Sequence, residues 1–584
     1  MDQIIDMNGL AVSTVSHEAV QAADQFVEEV LVYGNRWHCI LAAVEADPNW
    51  SLGYILCADY HMSMRESQVD AKECLKMARD LMGSATPREA QYLLAYEALV
   101  VEGDLRKAAG LFSAVLEAHP RDLFALKRGQ LLWFFLGQPE EMLRVAQGPV
   151  AEANRGRPFF DGMVAFALEQ AGQLSEAEAT AWRGLESSKE AQVPDPWTHH
   201  ALAHALYFQG RLTEGISLMQ GLAGSWGRCC SFMLTHNWWH IALFHLDRGT
   251  PQDWVRLGVL FDTRIWGVDK ANIQDQLGAL GLLIKWELRA IAPPSPNQAP
   301  ETMSALGCGM GDGVRHEERW IDVLHHVARR GVSGTGADPL FDLLALYGFV
   351  SMGLGDNAEA LFNRIVSNAE ACPTPERRLD LTQVWVPFAR GIRRFAAGDR
   401  ASAVSDMRGA WRRLAVVGGS SEQRDVLIEM FLHALLAAGC WDEACRLLEQ
   451  RQRERHHAVP ETARLLAWAY RKRGDTASVG QARRELLDLS ERYALEAERE
   501  AEERRRQEER GPRGQPALQM AWEAAAAQVA KAAPAAASTA QAAVSAARAA
   551  IAEPLEPQFL VAWVAAAAVA ASAAVVVLRS SLLP

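Results

Sequence analysis

An all-α fold built from stacked helical hairpins is what this sequence predicts, on three observations. Apolar residues recur at i, i+3, i+4 and i+7 through long segments, and alternating runs that would read as strands are scarce. A short unit also recurs: a Gly, a brief turn, an acidic or polar residue, then a small one. It stands at Gly103-Asp-Leu-Arg-Lys-Ala108, Gly137-Gln-Pro-Glu-Glu-Met142, Gly172-Gln-Leu-Ser-Glu-Ala177, Gly210-Arg-Leu-Thr-Glu-Gly215 and Gly249-Thr-Pro-Gln-Asp-Trp254. It returns at Gly355-Asp-Asn-Ala-Glu-Ala360, Gly398-Asp-Arg-Ala-Ser-Ala403, Gly439-Cys-Trp-Asp-Glu-Ala444 and Gly474-Asp-Thr-Ala-Ser-Val479. Third, these glycines are spaced by about 34 to 43 residues, apart from one gap of 106 that reads as about three further periods.

The pattern has a physical reading. The Gly supplies positive φ where the first helix ends. The polar residue caps the second helix, and the small residue lets the two helices approach. A period near 34 with these positions marks tetratricopeptide (TPR) repeats. In residues 89–122, Ala108, Phe112, Leu116 and Pro120 take the repeat's small, aromatic, apolar and terminal-proline positions. The predicted fold class is therefore all-α, a TPR-like helical-hairpin α-solenoid.

Taken in chain order, residues 1–290 read as an N-terminal TPR-like lobe. Residues 291–315 are rich in Pro, Gly and Ser and read as a flexible loop. Residues 316–485 read as a C-terminal TPR-like lobe. Residues 481–510 combine strong helix formers with opposite charges four apart, the pattern of an exposed helix. The segment 486–557 thus holds a charged helix followed by an Ala/Pro-rich linker. From Phe559 to Leu578 no residue is charged, and a helix of that length spans roughly 30 Å, the thickness of a bilayer core. Residues 558–578 are therefore expected to form a C-terminal transmembrane tail anchor, with the body on the cytosolic face of an intracellular membrane; the organelle stays open. The Ala-rich makeup leaves a soluble helix or a tether as the alternative. The N-terminus has neither a basic start nor a long apolar run, so no secretory signal is expected there.

Composition narrows the function class. The net charge of −13 argues against a general nucleic-acid binder, which needs a basic surface. Nine scattered cysteines with no CxxC pattern read as reduced thiols. Walker and GxSxG patterns fail; Gly331-Val-Ser-Gly-Thr-Gly336 has no following Lys. The expected function is a protein-interaction scaffold, taking a protein or peptide on the concave face of the array and no cofactor.

One constellation suggests chemistry. His200 and His204 are four apart on one predicted helix, and His236 and His240 are four apart on another. Each pair projects from one helix face. If both helices are the first helices of consecutive repeats, four imidazoles converge. Such a set suits zinc or another transition metal, although the glutamate of HExxH is missing. A polar ligand-binding groove and plain structural hydrogen bonding are the competing readings. Asp195, Glu214 and Asp253 are the carboxylates on offer nearby. A second candidate is Gly418–Asp425, where a Gly-Gly-Ser run enters a helix. It could hold an anion on free N–H groups, with Arg424 and Asp425 as ligand-binding residues. It could equally be an N-cap followed by an Arg424–Asp425 ion pair.

Several stretches do not belong to generic repeats. They are Gly9-Leu-Ala-Val-Ser-Thr14, Ala46-Asp-Pro-Asn-Trp50, Trp197-Thr-His-His-Ala-Leu-Ala-His204, Thr235-His-Asn-Trp-Trp-His240 and Gly418-Gly-Ser-Ser-Glu-Gln-Arg-Asp425. In order and content they resemble the tetratricopeptide repeat protein 38 family over residues 8–485. The resemblance implies a TPR-like solenoid and no settled biochemical activity. It does not reach the charged helix, the linker or the apolar tail.

Overall fold

A computed structural model describes residues 4–64, 68–290, 313–329 and 338–509. The predicted linker, the 558–578 anchor and most of the 291–315 loop lie outside the described residues. Among those described there are 26 α-helices and no strand, only two isolated β-bridges. The helices pair as antiparallel neighbours: Pro87–Val100 with Leu105–Ala118, Phe160–Gln170 with Leu174–Ala191, and Pro196–Gln209 with Leu212–Leu222. The series continues with Ser231–Arg248 and Pro251–Leu260, Pro339–Ser351 and Gly355–Ala371, Val386–Ala396 and Arg400–Arg408. Ser421–Ala437 with Trp441–Glu454 follows. The first helices of successive hairpins also touch, Phe160–Gln170 on Pro196–Gln209 and that helix on Ser231–Arg248. This is the stacking of a TPR-like solenoid.

The turns follow the expected chemistry with one correction. Eight of the nine repeat glycines, from Gly103 to Gly474, have φ between 66° and 82°. The exception is Gly355. The left-handed residue there is Gly353, at φ 71°, and Gly355 already begins a helix. Asp104, Thr250 and Asp399 cap the second helices with their side chains, Thr250 through a reciprocal capping box with Asp253. The 106-residue gap is filled differently from expectation. A single pair of helices, Ile273–Ala290 and Gly313–Arg329, stands between the hairpins at 231–260 and 339–371. The extra length lies in the segment joining that pair. Its second helix begins at Gly313, inside the stretch expected to be loop, since N–H groups of a first turn need no intrahelical partner.

Residues 1–502 form one compact unit. Its core is continuous and rich in large rings, with Trp50, Trp226, Trp239, Trp320 and Trp385 fully buried. The C-terminal repeats do not simply extend the stack; they return onto the early ones. The Ser421 N–H and hydroxyl both face the Gln170 amide oxygen at 3.2 Å. The His457 N–H donates to the Gln209 carbonyl at 2.9 Å, and Arg248 pairs with Glu500 at 2.6 Å. The eight described cysteines are free. No helix among the described residues is long and apolar enough to cross a membrane.

Gly215 takes the position that is Ala in most of the other turns, and the structure gives the reason. A Cβ built there would lie 2.3 Å from the Phe244 ring. Phe244 is fully buried on the next repeat's first helix and fills the space a side chain would need. Gly215→Ala should therefore destabilise the fold by about 1–3 kcal/mol, through overpacking. Urea unfolding followed by circular dichroism measures this; an unchanged midpoint would mean that Phe244 moves aside freely.

Candidate metal centre

The helix Pro196–Gln209 is set by Asp195, whose carboxylate accepts the Thr198 N–H at 3.0 Å and the Thr198 hydroxyl at 2.6 Å. Two glycines bring the preceding hairpin close to it. A Cβ on Gly162 or Gly184 would meet Thr198 at 2.1 Å or 3.0 Å. This close approach seats Glu169, near the end of Phe160–Gln170, behind His204. On the other side, Ser231–Arg248 turns His236 and His240 toward the same point.

The structure brings all four predicted histidines together. Their ligating nitrogens lie within 4.8 Å of one another. His200 Nε2 is 2.9 Å from His204 Nε2 and 3.1 Å from His236 Nε2. The His240 ring centroid is 4.5 Å from that of His204 and 5.0 Å from that of His200. Phe166, Trp197, Phe232 and Trp239 wall in the rings; Trp239 stacks on His236 at an interplanar angle of 10°.

Two carboxylates complete the centre, and neither is among the sequence candidates. Glu169 accepts from His204 Nδ1 at 3.1 Å, and Glu422, from Ser421–Ala437, forms an ion pair with the same nitrogen. Asp195 is the cap just described, Glu214 pairs with Arg211 at the surface, and Asp253 binds His245 at 2.6 Å and Arg248. His199 is also structural, accepting the Trp226 indole N–H at 3.0 Å. The sequence holds a faint signal for Glu169, a carboxylate directly after the apolar run Met163–Leu168. Glu422 lies within the stretch Gly418–Asp425 singled out in the sequence, but nothing there ties it to the histidines, because the contact spans more than 200 residues.

An open groove is the other arrangement expected of the four histidines, and the structure corrects it. They are 0–6 % exposed, and Glu422 and Glu169 are 0 % and 2 % exposed. Glu422, at the start of Ser421–Ala437, reaches in to His204, and the cluster is enclosed. Burial shapes its protonation. Burial and the neighbouring imidazoles hold His200 and His240 well below the usual histidine range, and burial with His204 pushes His236 down to about 3. Burial alone would lower His204 too, but Glu422 and Glu169 overcome it and raise it to about 9. Three neutral rings thus face a fourth that is anchored by carboxylates.

The second candidate resolves as an N-cap. Ser420 and Gln423 form a reciprocal capping box at 3.2 Å and 2.9 Å. First-turn N–H groups that an anion would need are engaged by Ser420 and Gln170. Arg424 does not pair with Asp425; its guanidinium donates to the Gly419 carbonyl. One helical position apart, the two side chains point in different directions. Asp425 instead enters a buried charge network. Lys285 Nζ lies 2.7 Å from Asp425 and 2.9 Å from Glu429. Arg289 bridges Glu429 and Asp247 at 2.8 Å each, Arg451 pairs with Asp425, and Arg455 meets Asp247 at 3.1 Å.

This network sets a pH dependence. Burial alone would raise Asp425, Glu429 and Asp247, but Arg451, Lys285, Arg289 and Arg455 outweigh it and hold all three below the usual carboxylate range. Their contribution is present above the ordinary carboxylate pKa of about 4 and is lost as pH falls below it. Asp275, Asp342 and Glu287 act oppositely, since burial pushes each up to about 7. Their cost appears as pH rises from about 4 to about 7. Asp275→Asn should raise the unfolding midpoint at neutral pH and leave it unchanged near about pH 4. An equal shift at both pH values would contradict this assignment.

No family model matches the chain. Among solved structures, it superposes on a human IFIT1 dimer with m7Gppp-AAAA at 12% identity, covering 85% of this chain and 96% of that one, with a TM-score of 0.38. It also superposes on the pentatricopeptide repeat protein PPR10 from maize at 15% identity, covering 80% and 73%, with a TM-score of 0.18. Superpositions this loose place no ligand, partner or activity on this chain.

Proposed function

We propose that this protein is a TPR-type interaction scaffold that takes a protein partner. The supporting observation is the succession of helical hairpins among the described residues of 1–502. Each hairpin buries one face against its neighbours and leaves the other as recognition surface. The histidine cluster is itself buried, so the partner is received on the exposed surface of the hairpins. Membership of the tetratricopeptide repeat protein 38 family belongs to the same proposal and rests on the motifs of residues 8–485. The apolar stretch 558–578 would fasten the scaffold to an intracellular membrane with its body toward the cytosol.

A protein partner is preferred to nucleic acid because the net charge is −13. RNA, the kind of molecule found with human IFIT1, is the alternative to test against it. The full chain, cross-linked in its native cells and purified, should carry a second polypeptide in near-stoichiometric amount. An A-rich RNA oligonucleotide should fail to bind at physiological salt. A chain recovered alone after cross-linking would overturn the scaffold reading, and tight RNA binding would overturn the choice of partner.

The anchor has its own experiment. Removing residues 558–584 should release the protein from the membrane fraction to the soluble fraction. Retention at the membrane after that deletion would show that another part of the chain is responsible.

A further inference from the structure

We propose that His200, His204, His236 and His240 bind one divalent transition-metal ion, zinc by their ligand chemistry, and that the ion fastens the C-terminal repeats to the early ones. Four imidazoles match the donor set that such ions take, and zinc accepts four-coordinate sites closed by protein ligands alone. At zinc–nitrogen distances of about 2.0–2.1 Å, the ligand atoms of a tetrahedron stand about 3.3 Å apart. The two Nε2 separations of 2.9 Å and 3.1 Å need only a small outward shift to reach that spacing.

Hydrogen bonding alone serves this cluster poorly. A neutral imidazole has one acceptor nitrogen with a single in-plane lone pair. His200 Nε2 faces both His204 Nε2 and His236 Nε2, so one atom, whether it donates or accepts, would have to serve two neighbours. His200 Nδ1 and both nitrogens of His240 have no hydrogen-bond partner, although both residues are at most 2 % exposed. An unsatisfied buried polar group costs about 1–3 kcal/mol. A cation at the convergence point uses the lone pairs of His200, His204 and His236 and occupies a nitrogen of His240. It relieves the crowding and part of the deficit in one step.

The surroundings also suit a metal. His204 turns Nε2 inward and Nδ1 toward Glu169 and Glu422. A ligating histidine whose other nitrogen donates to a carboxylate is the usual outer-shell arrangement. The two carboxylates supply negative charge against a buried dication, while Arg424, coupled to both, offsets part of it. With four protein ligands and no open side, the centre is of the structural kind and not one that activates water. Through Glu422 it ties the start of Ser421–Ala437 to His204 on Pro196–Gln209.

The full chain, purified without chelators, should hold about one equivalent of zinc by elemental analysis. After the zinc is stripped and cobalt(II) is added, the visible bands of tetrahedral cobalt should appear with the same stoichiometry. The double substitution His204→Ala/His240→Ala should lower metal content at least ten-fold. Glu422→Gln should stay folded and weaken zinc binding about 10–100-fold in competition with a chromophoric chelator. Should the double variant fail to fold, the cobalt spectrum of the unaltered chain decides. A stripped chain that remains helical and takes up neither zinc nor cobalt overturns the proposal. So does a folded double variant that binds metal as the unaltered chain does. The scaffold reading does not depend on the result.

Discussion

Buried polar contacts made by the helix Ser421–Ala437 hold distant parts of this molecule together. Glu422 reaches His204, while Asp425 and Glu429 reach Lys285 and Arg289. Next to them, Arg455 on the following segment reaches Asp247. A solenoid ordinarily joins each hairpin only to its neighbours. Here one helix carries three carboxylates into the interior of turns laid down some 140 to 220 residues earlier. Remove a partner and a charge is left buried without compensation, which is far more costly than the net worth of the pair.

The arrangement explains why so many ionisable groups lie inside an otherwise apolar core. Lys285, Arg289, Arg451 and Arg455 meet Asp247, Asp425 and Glu429 in one connected set, in which every charge but Arg455 has more than one opposite neighbour. Such networks are not an efficient source of stability. They do fix geometry, since a slip of one helical turn would strand several charges at once. The histidine centre lies next along the same helix and shares that constraint. Its aromatic walls fix the ring orientations, and the carboxylates fix which nitrogen of His204 faces inward.

Much of the architecture is legible in the sequence because TPR physics is local. Positive φ at Gly103 or Gly210, the Asp104 cap and the small residue at Ala108 act within a few residues, and the period exposes them. The pairing of His200 with His204, and of His236 with His240, is legible for the same reason. That the two pairs face each other follows once their helices are equivalent members of consecutive repeats. Glu169 and Glu422 are not legible, nor is the role of Asp425. The contacts of Glu422 and Asp425 depend on how the late repeats fold back, and that of Glu169 on the close packing of two neighbouring hairpins; no local pattern encodes either. The turn at Gly353 escapes sequence reasoning because Gly-Leu-Gly offers two candidates, and only the backbone separates them.

Closure by Ser421–Ala437 also governs the order in which the chain can mature. Hairpins such as 87–118 can pair as soon as they leave the ribosome, since their partners are adjacent. Glu422 cannot reach His204 until some 420 residues have been made. Until then Lys285 and Arg289 also lack the carboxylates of Asp425 and Glu429. Completion is thus a late, long-range event in a fold class otherwise assembled from neighbour to neighbour.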